Sequence, residues 1–101
     1  MKNVNNSVVS IIGVGNIGFR YYQAILEMEC VQQINLVEKQ IESLNKKIKT
    51  NSTNKEITIN NDLSADLLKS DLIIVSTTSS QRYDICKELR DLGYYGNLIL
   101  E

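Results

Sequence analysis

The sequence contains no histidine, no proline and no tryptophan. The missing histidine excludes Ser-His-Asp and Cys-His catalysis within the chain and removes the commonest zinc ligand. Cysteine is nearly as scarce. Cys30 and Cys86 belong to no C-x-x-C pattern, and their places on expected helix faces predict buried thiols rather than a disulfide or a metal pair. Aromatic residues make up 6% of the chain, too few for a base-stacking platform. The net charge of −1 comes without the concentrated basic face that phosphate backbones require, which argues against nucleic acid as a partner. No apolar run approaches the roughly 18–20 residues that span a bilayer, so no membrane is expected. Met1 to Ser7 is polar and carries only Lys2, unlike a secretory signal. The expectation is a cytoplasmic protein.

What is present suits one domain. The 101 residues are 43% hydrophobic, and a chain of this length buries roughly 60–65% of its unfolded surface, enough for a core without staples. Val8-Val9-Ser10-Ile11-Ile12 is a short apolar run of the kind found in strands buried on both faces. From Asn16 the period becomes helical, and Ile17, Tyr21, Ala24, Ile25 and Met28 form the expected buried stripe of a helix reaching about Glu29. Ile34 to Val37 is the next strand. Ile41, Leu44 and Ile48 mark a second helix, which ends in the polar loop 50–54. Ile57-Thr58-Ile59 is β-branched throughout and reads as a third strand. A short helical segment around Leu63 to Leu68 leads to Asp71-Leu72-Ile73-Ile74-Val75-Ser76, the most apolar strand. Ser79 or Ser80 is placed to cap the following helix, whose expected stripe is Ile85, Leu89 and Leu92. Gly93 stands where a left-handed C′ residue belongs. Asn97 to Leu100 is a fifth strand. Strands alternating with helices imply right-handed crossovers and a doubly wound parallel sheet, Rossmann-like, in the order 3-2-1-4-5.

The first strand–helix junction reads Gly13-Val14-Gly15-Asn16-Ile17-Gly18, a G-x-G-x-x-G directly after a strand and opening a helix. In that context each glycine has a task. Gly13 permits the tight turn, Gly15 lets backbone approach a pyrophosphate, and Gly18 lets the helix pack close to the sheet. The Asn16 and Ile17 backbone then offers free N–H groups and the positive helix end to phosphates. Glu38 closes the second strand 20 residues after Gly18, where an acid accepts hydrogen bonds from the adenosine ribose and repels a 2′-phosphate. These features predict binding of a nicotinamide dinucleotide, NAD in preference to NADP. Lys39 and Lys46 are the cations near enough to soften that preference. Ser76, Thr77 and Thr78 end the fourth strand at the topological switch point and flank the nicotinamide side, although hydroxyl residues are also ordinary loop and cap residues. Arg82, in the first turn of the next helix, reads as a surface residue with phosphate or carboxylate binding as the alternative. In the pair Tyr21-Tyr22 one ring must face the core. Tyr94-Tyr95 reads as packing.

Three segments resemble the Gfo/Idh/MocA oxidoreductases, the family of glucose–fructose oxidoreductase and inositol dehydrogenase. They are Ile11 to Arg20, Asp71 to Ser80 (similar to the family's D-x-V-x-I-x-T-P strand and loop) and Asn97 to Glu101 (similar to the strand entering its E-K-P motif). The resemblance runs from Val8 to Glu101. It departs at Thr78 where the family has proline, and at Arg82 and Tyr21 where histidine is frequent, so it holds more closely for the adenosine half than for the substrate half. It implies hydride transfer between the cofactor and a sugar, cyclitol or related alcohol, a homo-oligomeric parent, and Glu101 as the glutamate of E-K-P. The lysine that follows and the second domain would then lie beyond Glu101. The chain is accordingly expected to be an excised N-terminal domain, inactive alone, with no acid–base catalyst of its own.

Two other readings share these features. A regulatory nucleotide-sensing domain also carries the glycine loop and the acid, needs no catalytic lysine, and would be marked by a sixth strand and a dimer. An S-adenosylmethionine-binding methyltransferase also places an acid after the second strand, but Gly18 suits a pyrophosphate better.

Overall fold

The computed structural model describes residues 7–48 and 54–101. Most of the loop expected at 50–54 therefore lies outside the described residues. Five strands, β1 (Ser7–Ile12), β2 (Val31–Val37), β3 (Glu56–Asn60), β4 (Leu72–Val75) and β5 (Asn97–Leu100), form one sheet in the order β3-β2-β1-β4-β5. Every neighbouring pair is parallel. The doubly wound order read from the sequence is the observed one. β1 is the middle strand, and the more apolar β4 lies beside it.

Alternation along the strands sorts the core into two layers. Val9, Ile11, Ile34, Leu36 and Ile74 face helices α1 (Asn16–Leu26) and α2 (Ile41–Ile48), and pack with Tyr22, Ile25 and Leu44. Ile12, Val37, Ile73 and Val75 face the other way, onto Leu67 of a 3-10 turn (Ala65–Lys69) and Leu89 of α3 (Ser79–Leu92). Buried on both faces, the central strands can be apolar throughout.

The second layer also carries a polar row. Ser10, Asn35 and Thr58 lie side by side in register. Asn35 donates to the Ser10 hydroxyl at 3.1 Å and accepts from Thr58 at 2.5 Å and from Gln33 at 2.9 Å. Ser10 in turn meets Ser70 at 2.5 Å. With Ser10 0% and Asn35 5% exposed, each buried polar group finds its partner within the row.

The helices differ from expectation in rotation and length. The buried residues of α1 are Gly18, Tyr22 and Ile25, whereas Ile17 is 56% and Met28 49% exposed. Without a Cβ, Gly18 lets the helix sit close to the sheet, and that contact fixes which face turns inward. Hydropathy does not register it. α1 also stops at Leu26, short of Glu29. Cys30 consequently falls in an exposed turn and Cys86 is half-buried, so neither is a core thiol. On α3, Leu89 is buried and Ile85 half-buried as expected, but Leu92 is 37% exposed in the last turn. Gly93 ends the helix at φ 103° in the left-handed region, as the sequence requires. Tyr94 is buried and donates to the Asn97 carbonyl at 3.0 Å. Tyr95 instead stands 75% exposed, with the Arg90 guanidinium 5.5 Å from its ring centre. No helix among the described residues is long and apolar enough to cross a membrane.

Candidate functional site

The carboxyl ends of the strands are aligned. Val37, Ile12 and Val75 share one row with Leu100, and backbone hydrogen bonds carry the ladder one residue further. Gly13 donates to Val37 O (2.8 Å), Ser76 to Ile12 O (2.9 Å) and Glu101 to Val75 O (2.9 Å). Across the sheet the next row reads Glu38, Gly13, Ser76, Glu101.

The three loop glycines stand in three different environments. Gly13 has φ +84°, and a Cβ on it would lie 2.7 Å from Thr77 Cγ2 and 2.9 Å from the Ser76 carbonyl. Both conformation and space therefore demand glycine there. Gly18 has no such dihedral, but its Cβ would collide with the Gly13 carbonyl oxygen and come within 2.6 Å of Ser76 Oγ. Gly15 is different. It is the N-cap of α1 in extended backbone, and a Cβ there would meet nothing within 4 Å. Among the described residues nothing requires Gly15 to be glycine; a Cβ would occupy open space in front of a helix N-terminus that no described side chain caps. The first-turn N–H groups of a helix have no intrahelical acceptor, so this end of α1 forms an open cradle among the described residues.

Glu38 is held against the loop. Its Oε1 accepts from Val14 N at 2.8 Å and its Oε2 from Gln40 N at 2.9 Å. A carboxylate has about four acceptor positions, so two remain for further donors. A cleft of about 510 Å³ opens beside it, lined by Gly13, Glu38, Lys39, Asp62, Thr77, Asp84 and Glu88 among others. Four of these are acids and one is a cation, so the cleft is acidic and suits hydroxyl or amino donors better than anions. Lys39 lines the cleft; Lys46 does not.

The hydroxyl residues after β4 do not act alike. Ser76 turns inward and donates to the Gly13 carbonyl at 2.5 Å, bracing the loop. Thr77 Oγ1 is buried without a partner among the described residues, on a residue that lines the cleft. Thr78, not Ser79 or Ser80, is the N-cap of α3, and it makes no side-chain capping bond. Its Oγ1 lies 3.1 Å from Ser80 Oγ instead. The extended backbone of Thr78 places the helix start one residue earlier than the serines suggest. Arg82 is half-buried rather than a free surface residue, and its Nε has no partner among the described residues. Of the candidate residues, Gly13, Gly15, Asn16, Ile17, Gly18 and Glu38 converge on one loop, with Ser76 and Thr77 directly against it. Thr78 stands apart at the start of α3.

Tyr22 is the core member of the tyrosine pair, 0% exposed, its hydroxyl buried and without a partner among the described residues. Tyr21 leans the other way, and its hydroxyl donates to Glu101 Oε1 at 2.5 Å. Sequence reasoning missed that contact because 80 residues separate the two.

No protein-family model matches the sequence, and no curated protein matches it. Among solved structures the chain is similar to a lactate dehydrogenase from a Medee basin deep-sea metagenome library, with a TM-score of 0.69 at 18% identity over 95% of this chain. The chain spans 37% of the length of that enzyme. At this identity the likeness speaks to architecture: the chain has the Rossmann-like α/β fold.

Proposed function

We propose that this chain is the dinucleotide-binding domain of an oxidoreductase, taking NAD in preference to NADP. The observation that carries the reading is the Glu38 carboxylate hydrogen-bonded to the glycine loop at Val14 N, beside a Gly15 cradle that no described residue fills. The cofactor, when bound, supplies the hydride chemistry. The Asn16 and Ile17 amides at the start of α1 bind its pyrophosphate. Gly13, braced by Ser76, sets the loop's shape. Glu38 accepts the adenosine ribose hydroxyls with its two remaining acceptor positions. Asp62, Asp84 and Glu88 around the cleft add to the repulsion of a 2′-phosphate. Thr77, with its unpartnered hydroxyl, and Thr78 flank the path toward the nicotinamide.

The substrate class, a sugar, cyclitol or related alcohol, rests on the resemblance of the glycine-loop, β4 and β5 segments to the Gfo/Idh/MocA oxidoreductases. The lactate dehydrogenase supports a dehydrogenase setting for the fold without pointing to that substrate. No acid–base catalyst is assigned within this chain.

Calorimetric titration with NADH, NADPH and S-adenosylmethionine tests the reading. NADH should bind most tightly, and Glu38→Ala should weaken it by about tenfold or more, the loss of charge-assisted hydrogen bonds worth about 1.5–3 kcal/mol. Preference for S-adenosylmethionine, or NADH binding indifferent to Glu38→Ala, would overturn it.

A further inference from the structure

The sheet has two edges, β3 and β5, and the sequence treats them differently. β3 begins at Glu56 beside Lys55, and Asp62 follows shortly after its end. Charges at both ends of an edge strand discourage pairing with another chain. β5 lacks them: the stretch from Leu92 to Leu100 contains no charged residue. It also presents apolar side chains to solvent. Ile99 is 37% and Leu100 48% exposed, and the exposed Tyr95 stands just before the strand. Apolar residues exposed along an uncharged edge mark a pairing surface.

The β4–β5 ladder shows which backbone groups are free. Glu101 N donates to Val75 O, and alternate residues of a parallel ladder turn to the same neighbour. Ile99, opposite Ile74 in register, therefore also faces β4, whereas Leu98 and Leu100 direct their N–H and C=O groups away from the sheet. One antiparallel alignment uses all of these groups. With a two-fold axis at Ile99, Leu98 of one copy stands opposite the second copy's Leu100, and the two exchange both N–H···O bonds. Symmetry repeats the pair. Ile99 meets the second copy's Ile99 across the axis as a non-hydrogen-bonded pair, in which Cα atoms approach to about 4.5 Å.

The charges flanking β5 agree with that alignment. Before the strand, the Arg90 guanidinium lies 5.5 Å from the Tyr95 ring centre; after it stands Glu101. Antiparallel pairing brings the acidic end of each strand toward the guanidinium end of the other. Glu101 falls opposite the second copy's Asn97, whose Nδ2 donates one hydrogen to Asp71 O at 3.4 Å and keeps the other to give.

We propose that the β5 edge is an interface between two copies of this chain, with β5 pairing antiparallel to the second copy's β5 about a two-fold axis at Ile99, so that one sheet runs through both. A contact made by the same patch on each copy closes on itself, so assembly stops at a dimer. The glycine loop follows β1, two strands inward, and pairing at β5 leaves its cradle open.

Sedimentation velocity of the 101-residue chain tests the proposal from about 1 μM to about 1 mM, because contact through one short strand belongs to the small, weak class of interfaces. The chain should pass from monomer to dimer over that span and go no further. Leu100→Pro removes an outward N–H without touching the β4 ladder, at a position where an edge strand accepts proline. It should keep the chain monomeric with an unchanged circular dichroism spectrum. In a Cys30→Ser, Cys86→Ser background, Ile99→Cys should crosslink two copies on oxidation, and Asn97→Cys, two residues off the axis, should not. A chain that is monomeric at every concentration overturns the proposal. So does a folded Leu100→Pro variant that still dimerises, or an Asn97→Cys variant that crosslinks in preference to Ile99→Cys. If Leu100→Pro fails to fold, the two cysteine variants decide.

Discussion

The glycine loop allows a contrast in which intuition and geometry give opposite signs. Gly18 lies inside α1, where replacing glycine with alanine ordinarily stabilises a helix by about 0.8–1 kcal/mol. Here the new methyl would overlap the Gly13 carbonyl and lie 2.6 Å from Ser76 Oγ. Neither neighbour gives easily, because Ser76 Oγ is itself bonded to that carbonyl. Overpacking of this kind costs about 1–3 kcal/mol, so Gly18→Ala should destabilise the fold, by about 1–2 kcal/mol net. Gly15→Ala is the complement. Its methyl meets no atom of the described residues; the small loss from placing alanine at an N-cap, up to about 1 kcal/mol, is offset by a similar gain from a less flexible unfolded chain. Stability should stay within about 0.5 kcal/mol of the parent, while NADH affinity falls at least tenfold, because the methyl stands where the phosphate must approach. Urea denaturation followed by circular dichroism, with NADH titration of the same samples, reads both quantities. A Gly18→Ala variant as stable as the parent would refute the close-contact argument. A Gly15→Ala variant that binds NADH normally would refute the cradle.

Tyr22→Phe removes a buried hydroxyl that has no partner among the described residues and should leave stability equal or raise it by about 1 kcal/mol, read as a shift in urea midpoint. Burial holds the Tyr22 pKa above 10.0. Its contribution to stability is therefore fully present below pH 10.0 and lost as pH rises through the higher folded value. An alkaline titration of stability should show a shallower decline for Tyr22→Phe than for the parent. Ser76→Ala deprives the Gly13 carbonyl of its hydroxyl donor and should cost about 1–2 kcal/mol in the same denaturation assay. Asn35→Ala breaks three bonds of the polar row and should cost about 2–4 kcal/mol; a loss under about 0.5 kcal/mol would show that the row carries no weight.

Strand identity and order were readable because they depend on short-range signals. Apolar runs bounded by glycine and polar residues specify buried strands, and the switch from period 2 to period 3.6 specifies crossovers. The glycine loop and Glu38 were readable for the same reason: their spacing is a property of one strand–turn–helix unit and the strand after it. The rotation of α1 was not readable. It is set by what a glycine lacks, and a hydropathy pattern gives Gly18 no weight against Ile17. The tie between Tyr21 and Glu101 and the bond between Ser76 and Gly13 were hidden because they join residues distant in sequence. Cys30 was misplaced for a simpler reason: α1 ends three residues before the apolar periodicity suggests.

The polar row across β1, β2 and β3 has a consequence for how the sheet assembles. Strands made of valine, isoleucine and leucine are nearly interchangeable partners, and apolar contact alone discriminates poorly between one alignment and the next. Ser10, Asn35 and Thr58 act as addresses. Sliding β2 by one residue would turn Asn35 toward the α1–α2 layer, among isoleucines and leucines, with its amide unsatisfied. Each stranded polar group would cost about 1–3 kcal/mol, so a slipped sheet forfeits several bonds at once. The aligned edge that sets Glu38, Gly13, Ser76 and Glu101 in one line is thus protected from within the strands, by a row that lies two residues before Val37, Ile12 and Asn60.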